Sequence, residues 1–518
     1  VDSTSAWNTA LDALETAGGG TLDMSCADGL RFNITPETAT ERNYTNITIT
    51  NIAGTGGVFV KDTTATTSQG RGVLVKMDAD TTNFEISKLD ILVSSGAFRS
   101  NFETGVICSV DGGLDNIRIL NNTIKNESKL DTVLGVDGIT IFRDTSNDAD
   151  VATNSNITIE GNIIELYGNS IYGIQLTRET DVGYINKNNI TLHAWDNFSA
   201  QAFNCIAVYD NSSNIRVTNN TVFGGGHSAI ALSPSYNILV SGNQVSNVIN
   251  PVEAGIEVEY KLSHGRATDT SHDIIIRDNF INNCNYGVWV TERDEDATTL
   301  APYRVLIQGN NISNTLTTGI IVASEIASSP DFTSRIQDVN IDNNILNGTA
   351  GSGIRIYDAK DCSVTNNRVL GFVEGIVLGR DASIKITGDF IIDGNYTRDI
   401  TNRGLWVESG EDVNMTVIGN KFYDGTYGVF MGVNIDPNSI STLQMIGNFV
   451  KDASVDGFYL RPSTDAGVIL GNTALNCGAQ GYDIALSNGL YTNNVSIGCP
   501  TADSFSGAGN VATGNKDL

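Results

Sequence analysis

Short stretches of alternating apolar and polar residues recur along almost the whole chain. A small residue is followed by apolar residues at every second position, as in Gly138-Ile139-Thr140-Ile141 and Gly353-Ile354-Arg355-Ile356. A period of two residues is the geometry of a β-strand. The pattern therefore predicts many short strands, and only residues 5–16, with Trp7 and Leu11 at helical spacing, predict a helix.

A second motif alternates with these strands and reads apolar, any residue, Gly, Asn or Asp, then Asn, any residue, apolar. Its Asn recurs at Asn122, Asn162, Asn188, Asn220, Asn243, Asn279, Asn310, Asn344, Asn367, Asn395, Asn420, Asn448 and Asn472. From Asn122 to Asn472 the repeat averages about 29 residues. Asn tolerates a left-handed φ at a sharp corner, and its amide can bond the same amide one repeat above and below. The motif therefore predicts a stacked Asn ladder.

Strands that stack repeat upon repeat predict an all-β fold, a right-handed parallel β-helix with a short N-terminal capping helix. A solenoid lengthens its core without widening it, so 518 residues can form a single domain. The predicted division is 1–20 N-terminal cap, 21–115 irregular first coils, 116–486 regular coils and 487–518 C-terminal cap or tail that lacks the repeat.

Charge and composition limit the kinds of molecule that the protein can bind. The chain has 31 basic and 59 acidic residues, a formal net charge of −28, which argues against nucleic acid and anionic membranes as partners. No apolar stretch is long enough to span a membrane. The seven Cys lack metal or redox spacing, although Cys477 and Cys499 are predicted to be able to form a disulfide. The acidic surface is typical of extracellular surroundings.

Inserted loops of neighbouring repeats would wall a groove whose floor is the outward residues of one strand series. Aromatic and charged residues at and beside that floor suit a polysaccharide, although outward positions of any sheet tend to be polar. The predicted substrate-binding residues are Arg143, Arg178, Tyr209, His227, His264, Arg266, Trp289, Arg355, Tyr357 and Trp406.

The densest cluster of candidate catalytic residues is Glu257, Glu259 and Lys261, with Arg293 on the next repeat. Glu257 and Glu259 share one face of a strand, with Cα atoms about 6.6 Å apart. The pair could hold Ca²⁺, which prefers carboxylate oxygens, while Lys261 takes a proton and Arg293 stabilises the leaving oxygen. The spacing also lies near the roughly 6.5–9.5 Å of inverting glycosidases. A solvated charged strand is the third interpretation.

Two resemblances support this view. Asp2-Ser3-Thr4, the helix, Gly18-Gly19-Gly20 and Leu22 resemble the start of the pectate-lyase-like superfamily, which includes phage tailspike depolymerases. The segment from Glu257 to Arg293 resembles the active strand of chondroitinase-B and alginate-lyase type polysaccharide lyases. That resemblance implies calcium on Glu257 and Glu259, with Lys261 as base.

The expected function is extracellular degradation of an acidic, uronate-containing polysaccharide by β-elimination, without an organic cofactor. One alternative is an inverting glycoside hydrolase that uses Glu257 and Glu259. Another is a non-catalytic carbohydrate-binding rod or a phage tailspike receptor-binding protein. The expected oligomeric state is a monomer or a homotrimer.

Overall fold

The computed structural model describes most of the chain. The described residues are 3–25, 31–34, 42–60, 73–93, 105–109, 112–126, 137–142, 153–167, 172–193, 204–248, 253–260, 270–292, 301–323, 335–379, 386–408, 410–432, 440–461, 467–507 and 509–517. They form one α-helix and 50 β-strands. None of their helices is long and apolar enough to cross a membrane.

The chain divides into two compact units. The N-terminal unit contains residues 1–257 and 262–270, and the C-terminal unit contains residues 258–261 and 271–518. Each unit is a right-handed parallel β-helix. The prediction that residues 1–518 form a single domain stays a prediction.

The N-terminal unit contains the helix and the first twenty strands. Their bounds are α1 Thr4–Thr16, β1 Gly20–Asp23, β2 Arg31–Ile34, β3 Ile47–Thr50, β4 Gly57–Val60, β5 Val75–Met77, β6 Thr82–Ser87, β7 Asp90–Val93, β8 Gly105–Ser109, β9 Asp115–Leu120, β10 Thr123–Asn126, β11 Asp137–Ile141, β12 Asn154–Glu160, β13 Ile163–Tyr167, β14 Ile174–Leu176, β15 Thr180–Asn186, β16 Asn189–His193, β17 Ile206–Thr218, β18 Thr221–Gly224, β19 Ile230–Ser241 and β20 Gln244–Ser246. Strand β21, Ala254–Tyr260, begins in this unit.

The C-terminal unit contains the remaining strands. Their bounds are β22 His272–Arg277, β23 Phe280–Asn282, β24 Tyr286–Glu292, β25 Tyr303–Gln308, β26 Asn311–Thr315, β27 Thr318–Val322, β28 Ile336–Asp342, β29 Ile345–Gly348, β30 Ser352–Ile356, β31 Ala359–Thr365, β32 Arg368–Leu370, β33 Glu374–Leu378, β34 Ile386–Asp393, β35 Tyr396–Ile400, β36 Arg403–Val407, β37 Gly410–Ile418, β38 Lys421–Asp424, β39 Tyr427–Met431, β40 Ile440–Ile446, β41 Phe449–Lys451, β42 Phe458–Leu460, β43 Gly467–Leu470, β44 Thr473–Leu475, β45 Tyr482–Ala485, β46 Gly489–Thr492, β47 Val495–Ile497, β48 Ser504–Ser506, β49 Val511–Thr513 and β50 Lys516–Asp517.

The described strands fall into three parallel series, each made of strands stacked coil upon coil. In the first series of the N-terminal unit, Ile139 of β11 pairs with Ile174 of β14, which pairs with Ile206 of β17. In the C-terminal unit, β30, β33, β36, β39 and β42 continue the same kind of series in register. Like residues therefore stack on like residues, and the apolar ones fill the interior of each unit. The first-series motif begins with a small residue because a Cβ on Gly173, for instance, would lie 2.5 Å from the Cys205 oxygen.

The predicted Asn ladder is present in both units. Each ladder Asn donates from Nδ2 to Oδ1 of the next, from Asn122 to Asn243 in one unit and from Asn279 to Asn515 in the other, at 2.9–3.1 Å. The predicted left-handed φ is wrong for these residues. It belongs to the residue before each ladder Asn, such as Lys187 before Asn188, because the ladder side chain must point inward to bond its neighbours.

The predicted helix is confirmed as α1, whose Trp7 and Leu11 are buried. The C-terminal residues differ from the expectation, because the ladder continues through Asn494 and Asn515. These two repeats carry Ser496 and Asp517 where the motif requires an apolar residue, which is why the repeat escapes detection.

The predicted disulfide is also absent, because Cys477 and Cys499 are free thiols. They lie on neighbouring coils, and the Cys477 N–H donates to Cys499 Sγ over 3.4 Å.

Candidate active site

His227, Ser228, Glu253 and Glu257 form a polar cluster in the N-terminal unit. His227 and Ser228 lie in the short turn before β19, Glu253 directly precedes β21, and Glu257 lies within β21. The Ala229 N–H donates to the Ala254 oxygen over 3.2 Å, so the two segments run side by side. Coil stacking thus brings together residues that are about one repeat apart in sequence.

The side chains of this polar cluster meet at the two carboxylates. Nδ1 of His227 lies 3.2 Å from Oε2 of Glu253 and 3.8 Å from Oε2 of Glu257. Oγ of Ser228 lies 2.5 Å from the Glu257 oxygen and 3.3 Å from the Glu253 oxygen, and it accepts the Ala254 N–H over 3.2 Å. Because a serine hydroxyl carries one proton, the two carboxylates compete for it.

Burial differs sharply within the polar cluster. The Glu257 side chain is fully buried and that of Glu253 is 4% exposed, whereas 19% of the His227 side chain is exposed. The imidazole thus lies between buried carboxylates and solvent. Its second ring nitrogen, Nε2, is on the opposite side of the ring from the nitrogen that faces the carboxylates. A histidine oriented by a carboxylate in this way is suited to proton transfer.

The polar cluster also has the donors of a metal site. One nitrogen of His227 and one oxygen from each of Glu253 and Glu257 lie within 4.8 Å of one another. An imidazole nitrogen suits Zn²⁺, Mn²⁺ or Fe²⁺, while Ca²⁺ prefers an all-oxygen set. Of the two predicted calcium ligands, Glu257 belongs to this set and Glu259 does not.

The other predicted catalytic residues are only partly described. Glu259 lies in β21 with 4% of its surface exposed, and its backbone oxygen accepts the Ser271 hydroxyl over 2.7 Å. The remaining predicted residues in this region fall outside the described part of the chain, so their roles stay predictions. These are Lys261, Arg293, Arg143, His264 and Arg266.

Two further predicted binding residues of the N-terminal unit are held by aromatic contacts. The Arg178 guanidinium lies over the Phe142 ring at 4.1 Å. The Tyr209 ring meets the Tyr172 ring edge-on at 6.3 Å, and its hydroxyl accepts a hydrogen bond from Asn204. Neither residue belongs to the polar cluster.

The expected solvent-facing floor is absent over much of the first strand series. Thr140, Gln175 and Ala231 are buried, as is Trp289, which is 4% exposed. The Trp289 indole N–H donates to the Ala323 oxygen over 3.4 Å. The prediction that Trp289 faces outward to solvent is therefore wrong. Its side chain alternates with those of Val288 and Val290, yet all three are buried, so both faces of this strand are covered.

Half-exposed rings occur further along, in the C-terminal unit. Trp406, Phe430 and Tyr459 occupy the same register position on β36, β39 and β42. The Arg403 guanidinium lies over two of these rings, 4.0 Å from Trp406 and 4.5 Å from Phe430. Phe430 stacks on Tyr459 at 4.8 Å with 7° between the planes, and Arg461 lies over Tyr459 at 4.9 Å. These five residues are called the aromatic–arginine strip.

Carboxylates flank both ends of this strip. Arg403 lies 3.4 Å from Oε1 of Glu374, and its backbone N–H donates to Oε2 over 3.1 Å. Arg461 bonds Asp483 at 2.6 Å. Burial raises the pKa of Glu374, and burial likewise raises the pKa of Asp456, which lies near Asp483 and Arg461.

The two remaining predicted binding residues lie near the Glu374 end. The Arg355 guanidinium is 5.3 Å from the Tyr357 ring and donates to the Ser352 hydroxyl over 3.0 Å. Arg355 also acts electrostatically on Glu374. Of the predicted binding residues, Arg355, Tyr357 and Trp406 thus lie in one region of the C-terminal unit.

Sequence reasoning missed several residues of both regions. Ser228 and Glu253 stand just before first-series strands, outside the alternating apolar and polar positions of the strand motif. Phe430 and Tyr459 had a usable signal, because each follows a small residue by two positions as Trp406 does.

Comparison with known proteins agrees with this architecture. Residues 204–391 match the family model described as a right handed beta helix region. Over 231 residues the chain is 25% identical to an uncharacterized protein, YclG, of Bacillus subtilis, and the match covers 40% of this chain. It spans about a third, 34%, of the length of that relative.

Solved structures of other proteins have a similar fold. A double mutant of the tailspike protein of E. coli bacteriophage HK620, in complex with a pentasaccharide, matches with a TM-score of 0.50 and 11% identity, covering 94% of this chain and 77% of the tailspike. An exopolygalacturonase of Thermotoga maritima matches with a TM-score of 0.42 and 10% identity, covering 76% of this chain and 88% of the other. The family match and the tailspike likeness confirm that this chain has the right-handed parallel β-helix fold.

Proposed function

We propose that this protein is an extracellular or virion-surface enzyme that cleaves an acidic polysaccharide by β-elimination at the polar cluster. The observation that carries the proposal is the contact of 3.2 Å between Nδ1 of the partly exposed His227 and the buried carboxylate of Glu253. The tailspike of similar fold was solved with a bound pentasaccharide, which supports a glycan as the substrate class.

In this mechanism His227 is the proton-transfer residue. His227 carries its proton on Nδ1, the nitrogen that lies 3.2 Å from Glu253, and Nε2 accepts the proton on C5 of a uronate sugar. The electrons of that C–H bond form the C4–C5 double bond, and the bond from C4 to the glycosidic oxygen breaks. The leaving oxygen takes up a proton, so the products are an unsaturated uronate and a new chain end. The buried carboxylates stabilise the imidazolium that His227 becomes, because their charge acts through a medium of low dielectric.

The same donors favour a second use of the polar cluster, as the site of a divalent cation. Such an ion would offset the charge of a uronate carboxylate and acidify its C5 proton. In that case His227 is a ligand and another residue is the base, which keeps open the predicted role of Lys261. Glu253 and Glu257 are poorly placed for inverting hydrolysis, since their oxygens lie within 4.8 Å and that reaction needs carboxylates about 6.5–9.5 Å apart.

The test is turnover of a glycan panel containing pectate, alginate, chondroitin and fucoidan. Elimination produces equal amounts of reducing ends and of ultraviolet-absorbing double bonds. Reducing ends without that absorbance would show hydrolysis, and no cleavage of any glycan would favour a binding protein. Activity lost in EDTA and restored by Mn²⁺, Zn²⁺ or Ca²⁺ would support the cation site.

Two histidine variants locate the reaction. His227→Asn should lower kcat about 100-fold or more, because general base catalysis contributes at least that much. His193→Asn is the matched control, since His193 also lies beside a glutamate, 3.5 Å from Glu165, but that glutamate is itself half-exposed and not buried. Full activity of a folded His227→Asn protein would contradict the assignment.

A further inference from the structure

We propose that the aromatic–arginine strip of the C-terminal unit is a separate binding site for an acidic oligosaccharide, with its anionic group at Arg403 and its hydroxyls toward Asp456 and Asp483. This site does not depend on the polar cluster being catalytic. Binding to the strip and cleavage at the polar cluster can therefore fail independently.

The first support is the rigid placement of Arg403. Its guanidinium lies over the Trp406 and Phe430 rings, at 4.0 and 4.5 Å. These two contacts fix its position beside the half-exposed rings. Arg403 is 19% exposed and faces Glu374 at 3.4 Å. A guanidinium has five N–H donors, so donors remain for a carboxylate or a sulfate.

The second support is the local charge. The chain has a net charge of −28, yet at this end of the strip two arginines, Arg355 and Arg403, act on one carboxylate, Glu374. Excess positive charge at one place on an acidic protein favours an anionic ligand there. At the other end, Asp483 and Asp456 outnumber Arg461, and carboxylates accept hydrogen bonds from sugar hydroxyls.

The third support is length. Trp406, Phe430, Tyr459 and Asp483 stand in register on four successive coils. Three steps of about 4.8 Å give roughly 14 Å between the first and the last. A free inorganic anion would use only one end of such a surface. An oligosaccharide with an acidic sugar at one end uses both ends and packs against the half-exposed aromatic residues between them.

The test is equilibrium binding by calorimetry to the full chain carrying His227→Asn, so that the ligand stays intact. The probes are oligogalacturonate as a carboxylated glycan, fucoidan oligosaccharides as a sulfated one and maltoheptaose as a neutral one. Binding of either acidic probe, at least tenfold tighter than that of maltoheptaose, supports the site, and the preferred probe identifies the anionic group. Equal binding of all three, or of none, would overturn the proposal.

Variants then assign that binding to the strip. Arg403→Gln should weaken binding of the acidic probe about tenfold or more, the loss expected for a hydrogen bond to a charged group. Trp406→Ala should also weaken it, because the ring that positions the Arg403 guanidinium is removed. Arg403→Lys should recover only part of it, because lysine keeps the charge but not the planar stack.

Arg304→Gln is the matched control. Arg304 also stacks on an aromatic ring, that of Tyr303 at 4.3 Å, and bonds a carboxylate, Asp273, at 2.6 Å. It lies outside the strip and should leave binding unchanged. If folded Arg403→Gln and Trp406→Ala proteins bind the acidic probe as tightly as Arg304→Gln does, the strip is not the site.

Discussion

The polar cluster and the aromatic–arginine strip each lie beside strands of the first series of their own unit, yet they have opposite relations to solvent. In the N-terminal unit, the first residues of β21, from Ala254 to Glu257, are all buried. In the C-terminal unit, β36 and β39 keep two positions half-exposed, and these hold Arg403, Trp406, Tyr427 and Phe430. The same repeat therefore supports two kinds of surface chemistry.

This difference in solvent exposure decides what each region can do. Buried carboxylates interact strongly with a nearby proton or cation, because little water screens them. Half-exposed rings and guanidinium groups lose less hydration on contact with a ligand and suit recognition. We therefore expect changes in the polar cluster to reduce kcat and changes in the strip to raise KM.

The largest expected effect is that of Glu253→Gln. Glutamine keeps the shape of the side chain but removes the charge that orients His227 and stabilises its protonated form. The kcat should fall about 100-fold, within the range for acid–base groups, while glycan affinity stays unchanged. Parallel kcat and binding measurements check this. An equal loss of affinity would mean that the polar cluster and the binding site are one region.

The next effect is on stability and should be alike in both units. Asn162→Ala and Asn395→Ala each remove a buried ladder side chain that donates to a neighbouring amide and to a backbone oxygen. Each should lower the free energy of unfolding by about 2–4 kcal/mol, because buried partners are left unsatisfied. The exposed Asn189→Ala is the control in urea unfolding. If only one of the two variants lost stability, the Asn ladder would stabilise only one of the two units.

The two units should also differ in their dependence on pH. Burial raises the pKa of Asp503 in the C-terminal unit from 3.8 to about 6. Its stabilising contribution is therefore present at pH below about 4 and lost as the pH rises through about 6. In the N-terminal unit, hydrogen bonds from Asn156 and Ser155 lower the pKa of Asp115, so its contribution is present above 3.8 and lost as the pH falls.

Asp503→Asn isolates the first of these effects. Asparagine can still accept the Tyr482 N–H, a bond of 2.9 Å, without carrying a buried charge. The variant should gain in melting temperature over the unchanged protein at pH 7 and lose that advantage at pH 4. If the melting temperatures of the two proteins differed by the same amount at both pH values, the pKa of Asp503 would not be raised as described.

The smallest effect should come from the aromatic end of the strip. Tyr459→Ala removes the ring stacked on Phe430 and should weaken binding of an acidic oligosaccharide about threefold, as expected for one aromatic contact. Tyr184→Ala is the control, since Tyr184 is an exposed ring in the N-terminal unit with Arg216 at 5.8 Å. If the two substitutions weakened binding equally, the aromatic–arginine strip would not be the binding site.

Particular residues show how far prediction from sequence reached. The ladder and α1 were predictable because each depends on spacing within a short segment. Glu257 and Trp406 were identified as candidates from their motif positions. Ser228 and Glu253 were missed because their importance depends on a neighbouring coil, and the coil from Asn220 to Asn243 has 23 residues whereas the coil from Asn122 to Asn162 has 40.

The sequence by itself determined the strands, the coil-by-coil stacking and the Asn ladder, since a period of two residues and a recurring corner act locally and repeat. Only the tertiary structure decided which outward positions are buried, as Trp289 is, and which stay half-exposed, as Trp406 does. It also decided that His227 meets Glu253. The physical reason is that burial depends on what packs over a strand, and contact between distant residues depends on the length of each coil. The local alternation of apolar and polar residues gives no information on either.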